Sequence, residues 1–179
     1  LKEPESYHLV RFDSQTNLDE IVIPDITIQK LTKLSFAIGI DPKANRSIMF
    51  SGDLDPNSRM AWNWQVGYKF LLLEGSLTVK NQRQPLVYHI GFDESYTELK
   101  FDIANEKISS DGVINFKIDL QRLFQKSSTN NQKILEQPSV QKTNHNSNYI
   151  DMAEMPHVKF APDDVAAIAS GFNDFISIF

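Results

Sequence analysis

The sequence predicts an all-β domain: an antiparallel β-sandwich, immunoglobulin-like or Greek-key in type, carrying one short C-terminal helix. Three observations predict it. Apolar and polar residues alternate with a period of two in several short stretches, the pattern of strands with one buried face. Clusters of Gly, Pro, Asn, Asp and Ser separate those stretches and supply the turns of an antiparallel arrangement. Only after Pro162 does the apolar spacing lengthen to that of a helix.

Residues 7–12 alternate first, with His8, Val10 and Phe12 on the face expected to turn inward and Tyr7, Leu9 and Arg11 on the other. A polar loop follows over 13–20. Residues 26–31 and 33–40 read as strands, the second with Leu34, Phe36, Ile38 and Ile40 on one face. Asp, Asn, Ser, Gly and two prolines make 41–59 a long loop, and loops of that length usually have a role. It delivers the chain into the most distinctive stretch, which holds both tryptophans one residue apart. A regular strand from there places Trp62, Trp64, Val66, Tyr68, Phe70 and Leu72 on one face, with Gly67 marking a bulge or a close approach by another group.

Residues 75–85 read as a connection with some strand character at 77–79, and 86–91 as a strand with Val87 and His89 on one face. Residues 98–103 and 113–120 follow as strands around an Asp111-Gly112 turn, with Phe101, Phe116, Ile118 and Leu120 inward. The core is expected to unite Phe36, Phe101, Phe116 and Ile118. Residues 126–149 are rich in Asn, Gln, Ser, Lys and Thr and predict a polar, mobile excursion. Pro162 suits a first helical position, and Asp163 and Asp164 complement the positive end of the helix dipole. Val165, Ile168, Ala169, Phe172 and Ile176 share a face, predicting a helix over 162–176.

At 179 residues the chain reads as one domain over 1–179, large enough to bury a core. Its 41% hydrophobic and 23% charged residues are ordinary for a soluble globular protein. A net charge of −5 argues against nonspecific nucleic-acid binding, and no stretch is apolar for long enough to span a bilayer. Cysteine is absent, which removes disulfides, thiolate metal sites and a cysteine nucleophile together. A chain opening on Leu1 reads as processed or trimmed. There is no phosphate-binding glycine loop, HExxH or GxSxG, so no enzyme class is indicated. Asp53 and Asp55, in a Gly-Asp-Leu-Asp-Pro turn, suit backbone hydrogen bonding better than paired carboxylate catalysis.

The tryptophan stretch resembles the signature of the MbnP-like family, exported proteins similar to the kynurenine-containing copper-binding surface proteins of methane-oxidising bacteria. The resemblance rests on Asp55-Pro56, Met60, Trp62-Asn63-Trp64, Gly67-Tyr68, the apolar run 70–73 and Glu74-Gly75. Tyr88-His89-Ile90-Gly91 matches a second element, and residues 34–41 followed by Asn45 resemble the form typical of Bacteroidetes relatives. It covers roughly the first two thirds of the chain. The resemblance implies a copper-binding or metallochaperone-like protein, not an enzyme, one of whose paired tryptophans is oxidised to kynurenine by a separate dihaem, cytochrome c peroxidase-like enzyme. It also implies export to the periplasm or cell surface, with lipid anchoring of the full-length precursor, and outer-membrane copper transport components as partners.

Four histidines could supply an imidazole to copper. His89, on a strand and in a family element, leads; His8, in a similar Tyr-His setting, is second; Met60 is a thioether candidate. An intact indole nitrogen only donates, so Trp62 or Trp64 would contact metal only after the ring is opened to an aryl amine. Without the resemblance, the tryptophan pair reads as a core layer and His89 as a packing residue. Met152, Met155 and His157 form a second cluster whose plain reading is packing, and His145 lies in the polar excursion. A reading from another class makes Trp62, Trp64 and Tyr68 an exposed stacking platform of a carbohydrate-binding or protein-interaction sandwich. Burial separates the two readings.

Overall fold

The computed structural model describes residues 3, 6–13, 17–24, 30–47, 52–63, 66–104, 108–125 and 149–179. Its longest feature is a hairpin. Strands β3 (Gly67–Val79) and β4 (Gln82–Gly91) pair antiparallel from Lys69↔Gly91 to Val79↔Gln82, with a bulge between Lys69 and Leu71. Lys80 and Asn81 join them, both at positive φ (49° and 64°), the type I′ geometry whose twist suits a two-residue hairpin. The connection expected over 75–85 is therefore strand on both sides of a two-residue turn. β2 (Ala61–Asn63) folds back on the start of β3, and β7 (His157–Val158) adds to β4 in parallel, giving the order β2-β3-β4-β7. That short parallel pair departs from an otherwise antiparallel pattern. β1 (Lys33–Ile38) pairs with β5 (Thr97–Asp102), and β6 (Phe116–Ile118) with β8 (Ile176–Ile178), both antiparallel.

The result is an all-β, sandwich-like fold with short helices: α1 (Pro42–Asn45), a single turn, and α2 (Pro162–Ala169) near the C-terminus. One face of the long hairpin makes the core. Tyr88 and Ile90 on β4 are fully buried against Leu123, Phe124 and Val158, and α2 closes the layer with Val165, Ile168 and Ala169. Each such apolar side chain contributes about 1.5–3 kcal/mol by leaving water. α2 starts as expected, with Pro162 in its first turn beside Asp163 and Asp164. It stops sooner. At Gly171 a Cβ would lie 2.6 Å from Leu123 Cα and 2.8 Å from the Arg122 carbonyl, so the chain there is pressed against backbone. A 3-10 turn carries it past Phe172, and Ile176, expected in the helix, opens β8.

The Phe36, Phe101 and Phe116 rings meet as expected, with centroids 5.2–5.5 Å apart, but they are only half-buried and form a side cluster. Ile118 and Leu120 are exposed, which corrects their placement in the core. β6 is three residues long, Ile118 is its last residue and the chain enters a 3-10 turn at Leu120, so the alternation stops at the edge of the side cluster. The inward face of residues 7–12 is also reversed. Tyr7 Oη donates to Asp41, the Leu9 N–H to Asp53 Oδ2 (2.8 Å) and Arg11 Nη2 to the Ser58 carbonyl (3.3 Å), while Val10 and Phe12 face solvent. The polar partners offered by the 41–58 loop decide which side turns in. The strand expected at 26–31 falls largely on residues outside those described, as does nearly all of the excursion expected over 126–149.

Candidate functional site

Gly67 shapes the site because the chain reverses there. A single strand through Trp62 and Leu72 does not form; β2 turns back after Asn63, and Ala61 pairs with Tyr68 across the reversal. Gly67 sits at φ 88°, and a Cβ on it would lie 2.3 Å from Asn45 Oδ1, so both conformation and space require glycine. Asn45 is buried for a reason. Its Oδ1 accepts from the Tyr68 N–H (2.8 Å) and its Nδ2 donates to Asp93 Oδ1 (2.9 Å), whose other oxygen accepts from Arg46 Nη2 (2.7 Å). The Asn45 bond, then Arg46, holds the Asp93 carboxyl below its ordinary range against the opposing effect of burial. This network ties the long loop to the start of β3. Asn45 also opens an Asn-Arg-Ser glycosylation pattern, and its buried amide excludes a glycan there in the folded chain.

Trp62 lies over the end of β4. A Cβ at Gly91 would come within 2.6 Å of Trp62 Cζ3, so the absent side chain is the space the indole fills. Phe92 and Phe160 flank the indole, each ring centroid 5.3 Å away at 39°. Phe92 holds φ 71°, ψ 148°, a region nearly reserved for glycine, at a cost on the order of 1–3 kcal/mol. The Trp62 Nε1–H is buried and has no hydrogen-bond partner among the described residues. A buried donor left unpaired costs about 1–3 kcal/mol.

Gly91 and His89 are two apart on a regular strand and share a face, so Trp62 and His89 lie on the same outer side of the sheet, opposite the core side of Tyr88 and Ile90. The His89 side chain is 13% exposed, and its Nε2 is 2.9 Å from Glu74 Oε1; Arg59 Nη2 meets Oε2 of the same carboxylate at 2.9 Å. His89, then Arg59, lowers the Glu74 pKa despite some burial. An ionised carboxylate only accepts, so His89 Nε2 carries the hydrogen and Nδ1 of the neutral ring keeps the lone pair. Lys69 Nζ caps the Arg59 carbonyl (2.5 Å), its pKa lowered by desolvation.

His157 is the residue that sequence reasoning undervalued. It pairs with Val87 while Val158 pairs with the core residue Tyr88, so His157 stands on the outer face with His89. Its proximity to Met152 and Met155 in sequence was the signal, but those methionines pack on the core, and the Met155 carbonyl accepts from Tyr88 Oη (2.7 Å). His8 Nε2 meets Glu3 (2.9 and 3.0 Å), and no described contact joins it to the β3–β4 face. Met60 precedes β2, and its carbonyl accepts from the Lys69 N–H. Asp55 caps the 3-10 turn after it, accepting from the Asn57 N–H (2.8 Å), and Asp53 likewise serves backbone. Trp64 and His145 lie outside the described residues. Among the described residues no group of three or more His, Asp or Glu side chains is placed to hold an ion, and no helix is long and apolar enough to cross a membrane.

A stacking platform needs open ring faces. Tyr68 is 3% exposed with its hydroxyl on the Leu54 carbonyl (2.7 Å), and Trp62 is flanked by rings, so neither offers one. The fold and this face define a sandwich-like β domain that presents a clamped indole and a carboxylate-oriented imidazole together. The MbnP family model matches residues 1–145, and the chain belongs to that family. No curated protein and no solved structure matches it. β7, α2 and β8 lie beyond the matched residues, so His157 and Phe160 come from outside them.

Proposed function

We propose that this protein binds copper outside the cytoplasm, in the periplasm or on the cell surface, and hands it on as a metallochaperone-like carrier, with no catalysis of its own. Membership of the MbnP family supports a copper-related role. The observation that carries the reading is the Glu74–His89 pair on the face that holds Trp62. Histidine ligands commonly give their second N–H to a carboxylate, which fixes the ring and leaves one lone pair for the metal. His89 has that arrangement, and His157 on the same face is the natural second imidazole.

The donors present fit copper in part: imidazole suits it, while the indole of Trp62 cannot ligate as it stands. Copper bound here would be carried as cargo. Oxidation of a tryptophan to kynurenine by a separate dihaem enzyme would add an aryl amine to the two imidazoles. That enzyme and outer-membrane copper transport components are the partners this reading requires, and a lipid anchor on the precursor would hold the protein near them.

Competition with a Cu(I) chelator tests the reading. His89→Ala should abolish specific binding and His157→Ala should weaken it, with the circular dichroism spectrum unchanged in both. Unaltered affinity in His89→Ala would remove the site from this face. Intact mass tests the modification separately: protein made without the haem partner should keep both indoles, and kynurenine formed in its absence would contradict the dependence.

A further inference from the structure

We propose that Phe92 and Phe160 are positioning residues that clamp the Trp62 indole over Gly91, and that Phe160 is the side controlling access to it. That an indole on this face reacts at all rests on the copper reading; the clamp itself does not. The two flanks are built differently. Phe92 follows directly on β4 and is held at φ 71°, ψ 148°, so its ring is placed by backbone that a bulky residue rarely adopts. Phe160 sits on a bend just after the two-residue β7, is 58% exposed, and lies beyond the family-matched residues. One flank is fixed by backbone directly at the end of β4; the other is an outer cover.

The cover has a charged border. Lys159 adjoins Phe160 in sequence and is close enough to Lys69 to disfavour its charge, as is Arg59. Glu74 is the acidic group among them, and it is shared between His89 and Arg59. A reagent reaching Trp62 past Phe160 therefore crosses a rim that favours anions. Packing alone does not explain the arrangement, because a ring that is mostly in water adds little to a core, yet it packs at a tilt against an indole whose N–H has no partner among the described residues.

Tryptophan emission tests this without copper. In a Trp64→Phe background, where Trp62 is the remaining tryptophan, Phe160→Ala removes one of the two rings packed on the indole, so the acrylamide quenching constant should rise roughly twofold. Phe160→Tyr should restore it. Iodide should gain more than caesium from the Ala change, given the basic rim. Phe92→Gly relieves the backbone and should still raise quenching. An unchanged constant in Phe160→Ala with native circular dichroism, or failure of Phe160→Tyr to restore protection, would overturn the proposal. Loss of copper binding in His89→Ala would leave it untouched, so the two readings fail separately.

Discussion

Gly91→Ala probes the site at its tightest point. The added methyl would sit 2.6 Å from Trp62 Cζ3, 2.9 Å from Trp62 Cη2 and 2.6 Å from the Tyr68 carbonyl oxygen, where ordinary contact begins at 3.4 Å. Neither wall yields easily: one is paired backbone of β3, the other a ring flanked by Phe92 and Phe160. Overpacking of this kind costs about 1–3 kcal/mol. Replacing glycine within a strand returns about 0.5–1 kcal/mol of backbone entropy, which leaves a net loss of about 0–2.5 kcal/mol. For a chain of this size the melting temperature should fall by up to roughly 10 °C. Calorimetry and urea unfolding measure it, and near-ultraviolet circular dichroism should show a displaced indole. Gly75→Ala is the control, since nothing lies within 4 Å of its Cβ position. Equal stability of the two variants, with an unaltered Trp62 signal, would refute the reasoning.

Tyr88→Phe leaves the Met155 carbonyl without its donor and should cost about 1–2 kcal/mol in urea unfolding. Burial, then Asp151, pushes the Tyr88 phenol up to about 12, so its contribution is whole below the ordinary tyrosine range near 10 and lost as pH rises through 12; absorbance at 295 nm should show it titrating late. The depressed Asp93 carboxyl gives the opposite sign: its stabilisation is complete above the ordinary value near 4 and fades as pH falls toward its lower folded value, a loss that Asn45→Ala should reduce in acid-unfolding curves. Phe116→Ala should cost about 1–3 kcal/mol by thermal unfolding, less than the 3–5 expected of a fully buried ring, because the side cluster is half in water.

Period-two alternation made the strands legible wherever a face is continuously buried, as in 33–38 and 97–102, and the proline and acidic pair made the start of α2 legible. It misled where chain reversal leaves the alternation intact. Residues 62–72 keep their period straight through the turn into β3, and Gly67 alone marked the place. The Lys80-Asn81 turn lacks the glycine that usually announces such a hairpin. His89 was legible as one imidazole on a strand, and Trp62 as half of a pair. Their common face was not, because it depends on Gly91 having no side chain, a fact about space that periodicity does not carry.

His157 and Phe160 were illegible for a different reason: both reach the site through a two-residue parallel pairing, too short for any pattern. That pairing is nonetheless well anchored. Val158 is buried beside Tyr88, the Val87 N–H donates to the Pro156 carbonyl (2.9 Å), and α2 follows at once with Val165 and Ile168 in the core. The C-terminal part therefore cannot detach without opening the main core, whereas Phe160, on the bend between β7 and α2, can turn away without breaking either. His157 is held where the sheet puts it; Phe160 meets Trp62 from the bend. A face built this way keeps its imidazoles fixed while the access to its indole can vary.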